Sequence, residues 1–286
     1  VTHVFDYFVG VDWSGDKKTW QKGIKIALAL PGADPPQLVK GPGPKERWSR
    51  NEVAKWICNV VQAKRALIGL DFAFGFPPVQ QFLKGTILDW SYVEKLCAAD
   101  GNFYGGTFFR AASAPHSSLV NSPWLPRMHY SASHLRATER AAGHTKGATP
   151  QSVFNAIGSA QVGPSSISGM RVLFHLQKEC GSAISIWPFQ SVDAAKSVIV
   201  EIFPRYFPLS HQLSSDLSIH VKLNDALAAF GSAPVLSPPA SEDEGDALLS
   251  AAALRFLAGA EDAFDLPEAS IRNEGWIFGI PLGAAS

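Results

Sequence analysis

The run Val9-Gly10-Val11 is suited to a protein core, yet the next residue is Asp12. The segment around it, Val4–Asp12, is rich in β-branched and aromatic residues and reads as a first strand. Ser14-Gly15-Asp16 is a turn signal, so Gly23–Leu30 reads as a second strand antiparallel to the first. Prolines between 31 and 36 break it, and Gln37–Lys40 forms a short third strand. Ser49–Gln62 reads as a helix: Trp56, Ile57, Val60 and Val61 share helical spacing, and Ser49 with Glu52 fits a capping box. Ala66–Asp71 is then another apolar strand that ends in a carboxylate, before the Gly/Pro turn Phe72–Pro78. A hairpin meander followed by strand–helix alternation predicts an α/β fold, a mixed sheet with helices on its faces.

Residues 79–197 interrupt this regularity. Tyr92–Ala98, Ser133–Ala141 and Ile167–Lys178 carry helical patterns, and Ile184–Trp187 reads as a strand. With no linker and no repeat, the segment is expected to be an insertion in a single domain spanning 1–286. Ser197–Phe203 is a strand bearing Glu201, and Pro204 and Pro208 stop it. Helices are predicted at Lys222–Ala229 and Ala247–Ala258, the second preceded by the acidic run Ser241–Asp246.

Twenty-five basic and 25 acidic residues cancel, which gives no support to a strongly basic nucleic-acid binder while leaving a local basic groove open. Cys58, Cys97 and Cys180 are too few and too scattered for a disulfide framework or a zinc site, so a reducing, cytoplasmic setting is expected. No apolar run is long enough for a membrane span, and the first residues, with His3 and Asp6, lack the basic segment of a signal peptide.

Asp12, Asp71 and Glu201 each end or interrupt an apolar strand, and Asp246 opens an apolar helix. Brought together, such carboxylates repel one another until some take up protons or a divalent cation compensates them. Mg²⁺ and Mn²⁺ prefer oxygen ligands, and a carboxylate-held pair of them can hydrolyse a phosphodiester without a Ser or Cys nucleophile. Each acid also has a structural reading. Asp12 and Asp71 suit turn caps, Glu201 could pair with Arg205 or Arg171, and Glu242, Asp243 and Glu244 suit a helix N-terminus.

The phrases "VGVDWSG", "IGLDFAFGFP", "QVGPSSISGM", "VIVEIFPR", "DALLSAAAL" and "EGWIFG", running from Val9 to Gly279, resemble the predicted RNase H-like nucleases of domain-of-unknown-function family 429. The resemblance implies an RNase H-like fold, a five-stranded mixed sheet flanked by helices, with the insertion lying between strands 4 and 5. It implies catalytic acids at Asp12, Asp71 and Asp246 that hold two Mg²⁺ or Mn²⁺ ions, with Glu201 as an additional acid, and it implies nucleic acid, DNA or RNA, as substrate.

Other residues could meet a substrate. Ser165 and Ser166, in the polar Gly-rich stretch Gln161–Met170, could hold a phosphate at a helix N-terminus or simply form a capped loop. Arg136 and Arg140 share i,i+4 spacing and could grip a phosphate, although an Arg136–Glu139 pair on a solvated face is the plainer reading. Lys17 and its neighbours on the first hairpin could line a groove. Phe103, Tyr104, Phe108 and Phe109 with Arg110 suit core packing better than base stacking. His116, His129, His134 and His144 lack zinc-ligand spacing. "GVDWSG" also resembles the first phosphate loop of actin-like and sugar-kinase phosphotransferases, and a non-catalytic binding protein that retains the fold is a third possibility.

Overall fold

The computed structural model describes residues 4–78, 88–113, 134–156 and 161–285. Six strands form one mixed sheet in the order β3-β2-β1-β4-β6-β5. Strands β1 (Tyr7–Asp12), β2 (Lys25–Ala29) and β3 (Gln37–Val39) make the antiparallel meander. Strands β4 (Ala66–Leu70), β6 (Ser197–Glu201) and β5 (Ile184–Ile186) continue it parallel to β1. The sheet therefore has six strands where five were expected. The extra strand comes from within the expected insertion: β5 is short and wholly buried, and it pairs on the outer edge of β6.

Helix α1 (Arg50–Ala63) starts where the capping residues place it, with the Ser49 hydroxyl accepting the Glu52 amide. Among the described residues four α-helices lie in the segment between β4 and β5. They are α2 (Trp90–Cys97), α3 (Gly106–Ser113), α4 (Ala137–Gly143) and α5 (Val162–Cys180). After β6 come α6 (Tyr206–Ser210), α7 (His220–Ala229), α8 (Glu242–Leu257) and α9 (Ala269–Arg272). Helix α8 begins five residues before the expected start, because the Ser241 hydroxyl accepts the Glu244 amide and draws the acidic run into the first turn. The strand β6 ends before Pro204, and Pro208 sits within the first turn of α6, where a missing N–H leaves no helical bond unmade.

Strand alternation sorts the core into two faces. Val9, Val11, Ile26, Ile68, Leu70 and Ile199 pack beneath α1 and α5. Phe8, Ala27, Leu67, Val198 and Val200 pack beneath α8, α7 and the C-terminal segment. A third cluster joins Val93, Cys97 and Phe108 of α2 and α3 to Ile167 and Met170 of α5, so α5 belongs to both the sheet layer and the inserted segment. Phe108 is core, as its sequence context suggested; the Arg110 side chain, His116 and His129 lie outside the described residues. Among the described residues no helix is long and apolar enough to cross a membrane.

Helix α8 touches the sheet backbone. Gly10 and Gly69 are register partners on neighbouring strands. A Cβ on Gly10 would lie 2.5 Å from the Ala247 carbonyl oxygen and 2.7 Å from the Ala251 nitrogen. One on Gly69 would lie 2.9 Å from Leu254 Cδ1. Ala247, Ser250, Ala251 and Leu254 follow i, i+3, i+4, i+7 spacing, a single stripe of mostly small residues seated on the two glycines. Gly10→Ala is therefore expected to destabilise the fold by about 2–4 kcal/mol in urea unfolding, since the clash is with backbone that cannot rotate away. Gly101→Ala, where nothing lies within 4 Å, should stay within about 0.5 kcal/mol of wild type.

A carboxylate cluster at the ends of the central strands

Hydrogen-bond register brings the acids to one end of the sheet. Asp12 closes β1, and the Asp71 amide donates to the Val11 carbonyl at 3.0 Å, extending the β1–β4 ladder by one residue. Leu70 is in turn the register partner of Glu201 at the end of β6. The alternation that sends Phe8 and Gly10 towards α8 sends Asp12 there too. Asp246, next to Ala247 at the glycine contact, comes close enough for its charge to be felt at Asp12.

The electrostatics follow. Asp12 is only 8% exposed. Burial, then the charges of Asp71, Asp246 and Asp243, push its carboxyl well above the usual range, and its side-chain contact with Asp71 adds to the rise. Burial pushes Asp71 up to about 7, with Glu201 adding to the rise and the hydrogen bond from Asp12 opposing it. Asp246 is raised by burial and by Asp71, Glu242 and Asp243, with Arg205 pulling the other way. Among the described residues none of Asp12, Asp71 and Asp246 has a Lys or Arg ion pair.

Asp243 is the member that sequence reasoning set aside as a helix-end acid. It is half-buried, raised by burial against the pull of Lys25 and Lys22, and it acts on both Asp12 and Asp246. Its i,i+3 spacing from Asp246 was the available signal. Glu244 serves structure instead: it takes Lys25 Nζ at 2.6 Å and the Ala240 amide at 2.7 Å.

Glu201, at the end of β6, lines the same cavity as Asp71 and Asp246 and raises Asp71, but unlike the aspartates it has a basic partner. There it is 2% exposed and gripped by Arg136, whose Nη1 lies 2.8 Å from Oε2 and whose Nη2 reaches Oε1. The Phe74 amide adds a 2.9 Å bond to Oε2. The partner is thus Arg136, 65 residues away, and not Arg205 or Arg171. Arg171 pairs with Glu94. Arg136 is itself 1% exposed and sits before α4 as its N-cap residue, not on a solvated helix face with Arg140. It also donates to Glu139 Oε1 at 2.9 Å and to the Glu274 carbonyl at 3.0 Å. Burial alone would lower its pKa, but Glu201 and Glu139 outweigh burial and hold the guanidinium above its ordinary value.

The loop after β1 is equally fixed. Arg50 Nε and Nη2 donate to the Ser14 carbonyl at 3.1 and 2.9 Å, Nη2 reaches the Asp16 carbonyl, and Nη1 donates to Asn102. A Cβ on Gly15 would meet the Ser165 nitrogen at 2.4 Å, so the loop abuts the start of α5. Trp13 Nε1 donates to Ser168 Oγ at 3.1 Å. The Ser166 hydroxyl is buried and accepts the Ala73 amide at 3.1 Å, while Ser165 Oγ donates to the Val162 carbonyl at 2.8 Å. Lys17 is exposed on the hairpin.

A cavity of about 310 Å³ opens at this end of the sheet. Asp71 and Asp246 reach its wall, Gln161 and Ser165 at the start of α5 face it, and Arg205 stands on its exposed rim. Among the described residues no three His, Cys, Asp or Glu side chains form a ready-made metal cage. The donor set nevertheless suits a hard divalent cation, being all oxygen and held in mutual repulsion. No family model, no curated protein and no solved structure matches this chain.

The raised carboxylates make a signed prediction. Asp71 binds its proton more tightly folded than unfolded, so its contribution to stability is complete below about pH 4 and lost as pH rises through about 7. In a chelating buffer the melting temperature should fall between about pH 5 and pH 8. Asp71→Asn, which cannot ionise, should flatten that fall and melt higher than wild type at pH 8. A steeper fall in the variant would contradict the assignment.

Proposed function

We propose that this protein is a divalent-metal-dependent phosphodiesterase acting on nucleic acid, built on an RNase H-like core. The observation that carries this reading is the meeting of Asp12, Asp71 and Asp246 beside a cavity, with their charges unrelieved by any lysine or arginine ion pair among the described residues. These are the acids that the resemblance to domain-of-unknown-function family 429 assigns to metal binding: one at the end of the first strand, one after the fourth and one on the last long helix.

Asp12, Asp71 and Asp246 would hold Mg²⁺ or Mn²⁺. When bound, such ions acidify an attacking water and offset the charge that builds on the phosphoryl oxygens. The chain's own residues supply the rest. With a cation bound, Asp12 and Asp71 would serve as ionised oxygen donors, the cation offsetting the repulsion that raises both carboxyls. Asp243 adds negative charge from the next turn of α8. Arg205, exposed on the rim, is placed to draw in an anionic substrate. Arg136 holds Glu201 rigid, and through the Phe74 amide Glu201 fixes the loop that carries Asp71.

The phosphotransferase reading is less well supported. In that reading the Ser14-Gly15 loop would wrap a phosphate with its amides, but the Asp16 amide donates to the Ser14 hydroxyl and Gly15 lies against the start of α5.

The test is cleavage of single- and double-stranded DNA and RNA with Mn²⁺ or Mg²⁺. Asp12→Asn and Asp246→Asn should each lose at least about 100-fold in rate while melting cooperatively. Variants that cleave like wild type, or wild-type cleavage that survives a chelator, would overturn the proposal. Stabilisation by ATP with Mg²⁺ and no cleavage of any substrate would favour phosphotransfer instead.

A further inference from the structure

Cys58 lies in α1 and Cys180 ends α5. They are 122 residues apart in sequence, yet their sulfurs are 2.9 Å apart. A disulfide bond is about 2.05 Å long, so the two sulfurs need to close by less than about 1 Å. Both helices pack on the same face of the sheet, among Ile57, Val61, Leu173 and Leu176, so the approach is set by the core.

The two thiols differ. Cys58 is half-buried and reaches solvent, whereas Cys180 is buried. Burial and the neighbouring Cys58 push the Cys180 thiol up to about 12. Cys58 is therefore the sulfur that meets a soluble reagent, and Cys180 is the one that waits beside it. No third metal-ligating side chain joins them among the described residues, so the pair reads as a dithiol and not as part of a metal site.

We propose that Cys58 and Cys180 form a reversible dithiol–disulfide pair that staples α1 to the end of α5 when the protein meets a low-molecular-weight disulfide. The Cys58 thiolate attacks one sulfur of oxidised glutathione, forming a mixed disulfide and releasing one glutathione thiolate. Cys180 then loses its proton and attacks Cys58 Sγ. The mixed S–S bond breaks, the protein S–S bond forms and the second glutathione leaves. In sum, the two cysteines lose two electrons and two protons, and one glutathione disulfide becomes two glutathione thiols.

The closed loop would run from residue 58 to residue 180. It contains β4, Asp71, Arg136 and the start of α5, which is much of the wall of the carboxylate cavity. Cross-linking so long a loop restricts the unfolded chain, so the oxidised form should melt higher, by about 5 °C or more.

Peptide mapping by mass spectrometry tests this. Reduced protein is equilibrated with oxidised glutathione, alkylated and digested. The expected result is one Cys58–Cys180 linked peptide with a loss of about 2 Da, and a single alkylated cysteine, the fully buried Cys97. Dithiothreitol should reverse the cross-link and the rise in melting temperature. Cys180→Ser should stop at a glutathione adduct on Cys58. Three alkylatable thiols after equilibration, a wild-type chain that stops at the Cys58 adduct, or a cross-link to Cys97 would each overturn the proposal. The wild-type map decides the matter even if a variant fails to fold.

Discussion

The contact of α8 with Gly10 and Gly69 governs the rest of the architecture. Side chains larger than hydrogen at those two positions would hold the helix away from the strands, since a Cβ on Gly10 already comes within 2.5 Å of helix backbone. With both absent, Ala247, Ser250 and Ala251 lie directly on β1. The residue before that stripe is Asp246, and the residue two beyond Gly10 on the same side of the strand is Asp12. The close packing therefore brings two acids together that solvation alone would keep apart. Folding supplies what the repulsion takes away, and the raised carboxyls record it.

Around this contact the molecule separates two uses of charge. Arg136 sits among Glu201, Glu139 and the Glu274 carbonyl in an ion network with almost no exposure. Such a network contributes little net stability over an apolar one, but removing one partner strands the others, at about 3–5 kcal/mol. It locks the inserted helices to the end of β6. Arg136, Glu139 and Glu201 line the same cavity as Asp71 and Asp246, but among the described residues the aspartates have one another in place of basic partners. Satisfied charge builds the frame, and unsatisfied charge marks the place where chemistry can act.

Much of the frame was legible in the sequence. Apolar runs broken by Ser14-Gly15-Asp16 and by prolines located β1, β2 and β4, and Ser49 located the start of α1. Asp12 and Asp71 stood out because each ends a core strand, and a carboxylate there asks for a partner. What the sequence could not disclose were contacts made only by the assembled sheet. Glu201 looked like a fourth member of the cluster, and it does line the same cavity, but its pairing there with Arg136, 65 residues away, is a contact that only the assembled fold discloses. Arg50 carried no signal of its own, and its burial against the Ser14 and Asp16 carbonyls of the first loop depends on where the fold sets α1 beside that loop. The short strand β5 carried a strand pattern, but its place at the sheet edge depends on where α5 delivers the chain. Asp243 had the helical spacing to join Asp246, and its acidic neighbours hid it.

On the proposed reading Asp12, Asp71 and Asp246 hold a divalent cation for which protons compete. The most direct test is anomalous diffraction from crystals soaked in Mn²⁺ at pH 8 and, in parallel, at pH 5. The account predicts a manganese peak among Asp12, Asp71 and Asp246 at pH 8 that weakens or vanishes at pH 5, where protons compete. Crystals that carry no peak there at pH 8, or whose only manganese lies elsewhere, would contradict it.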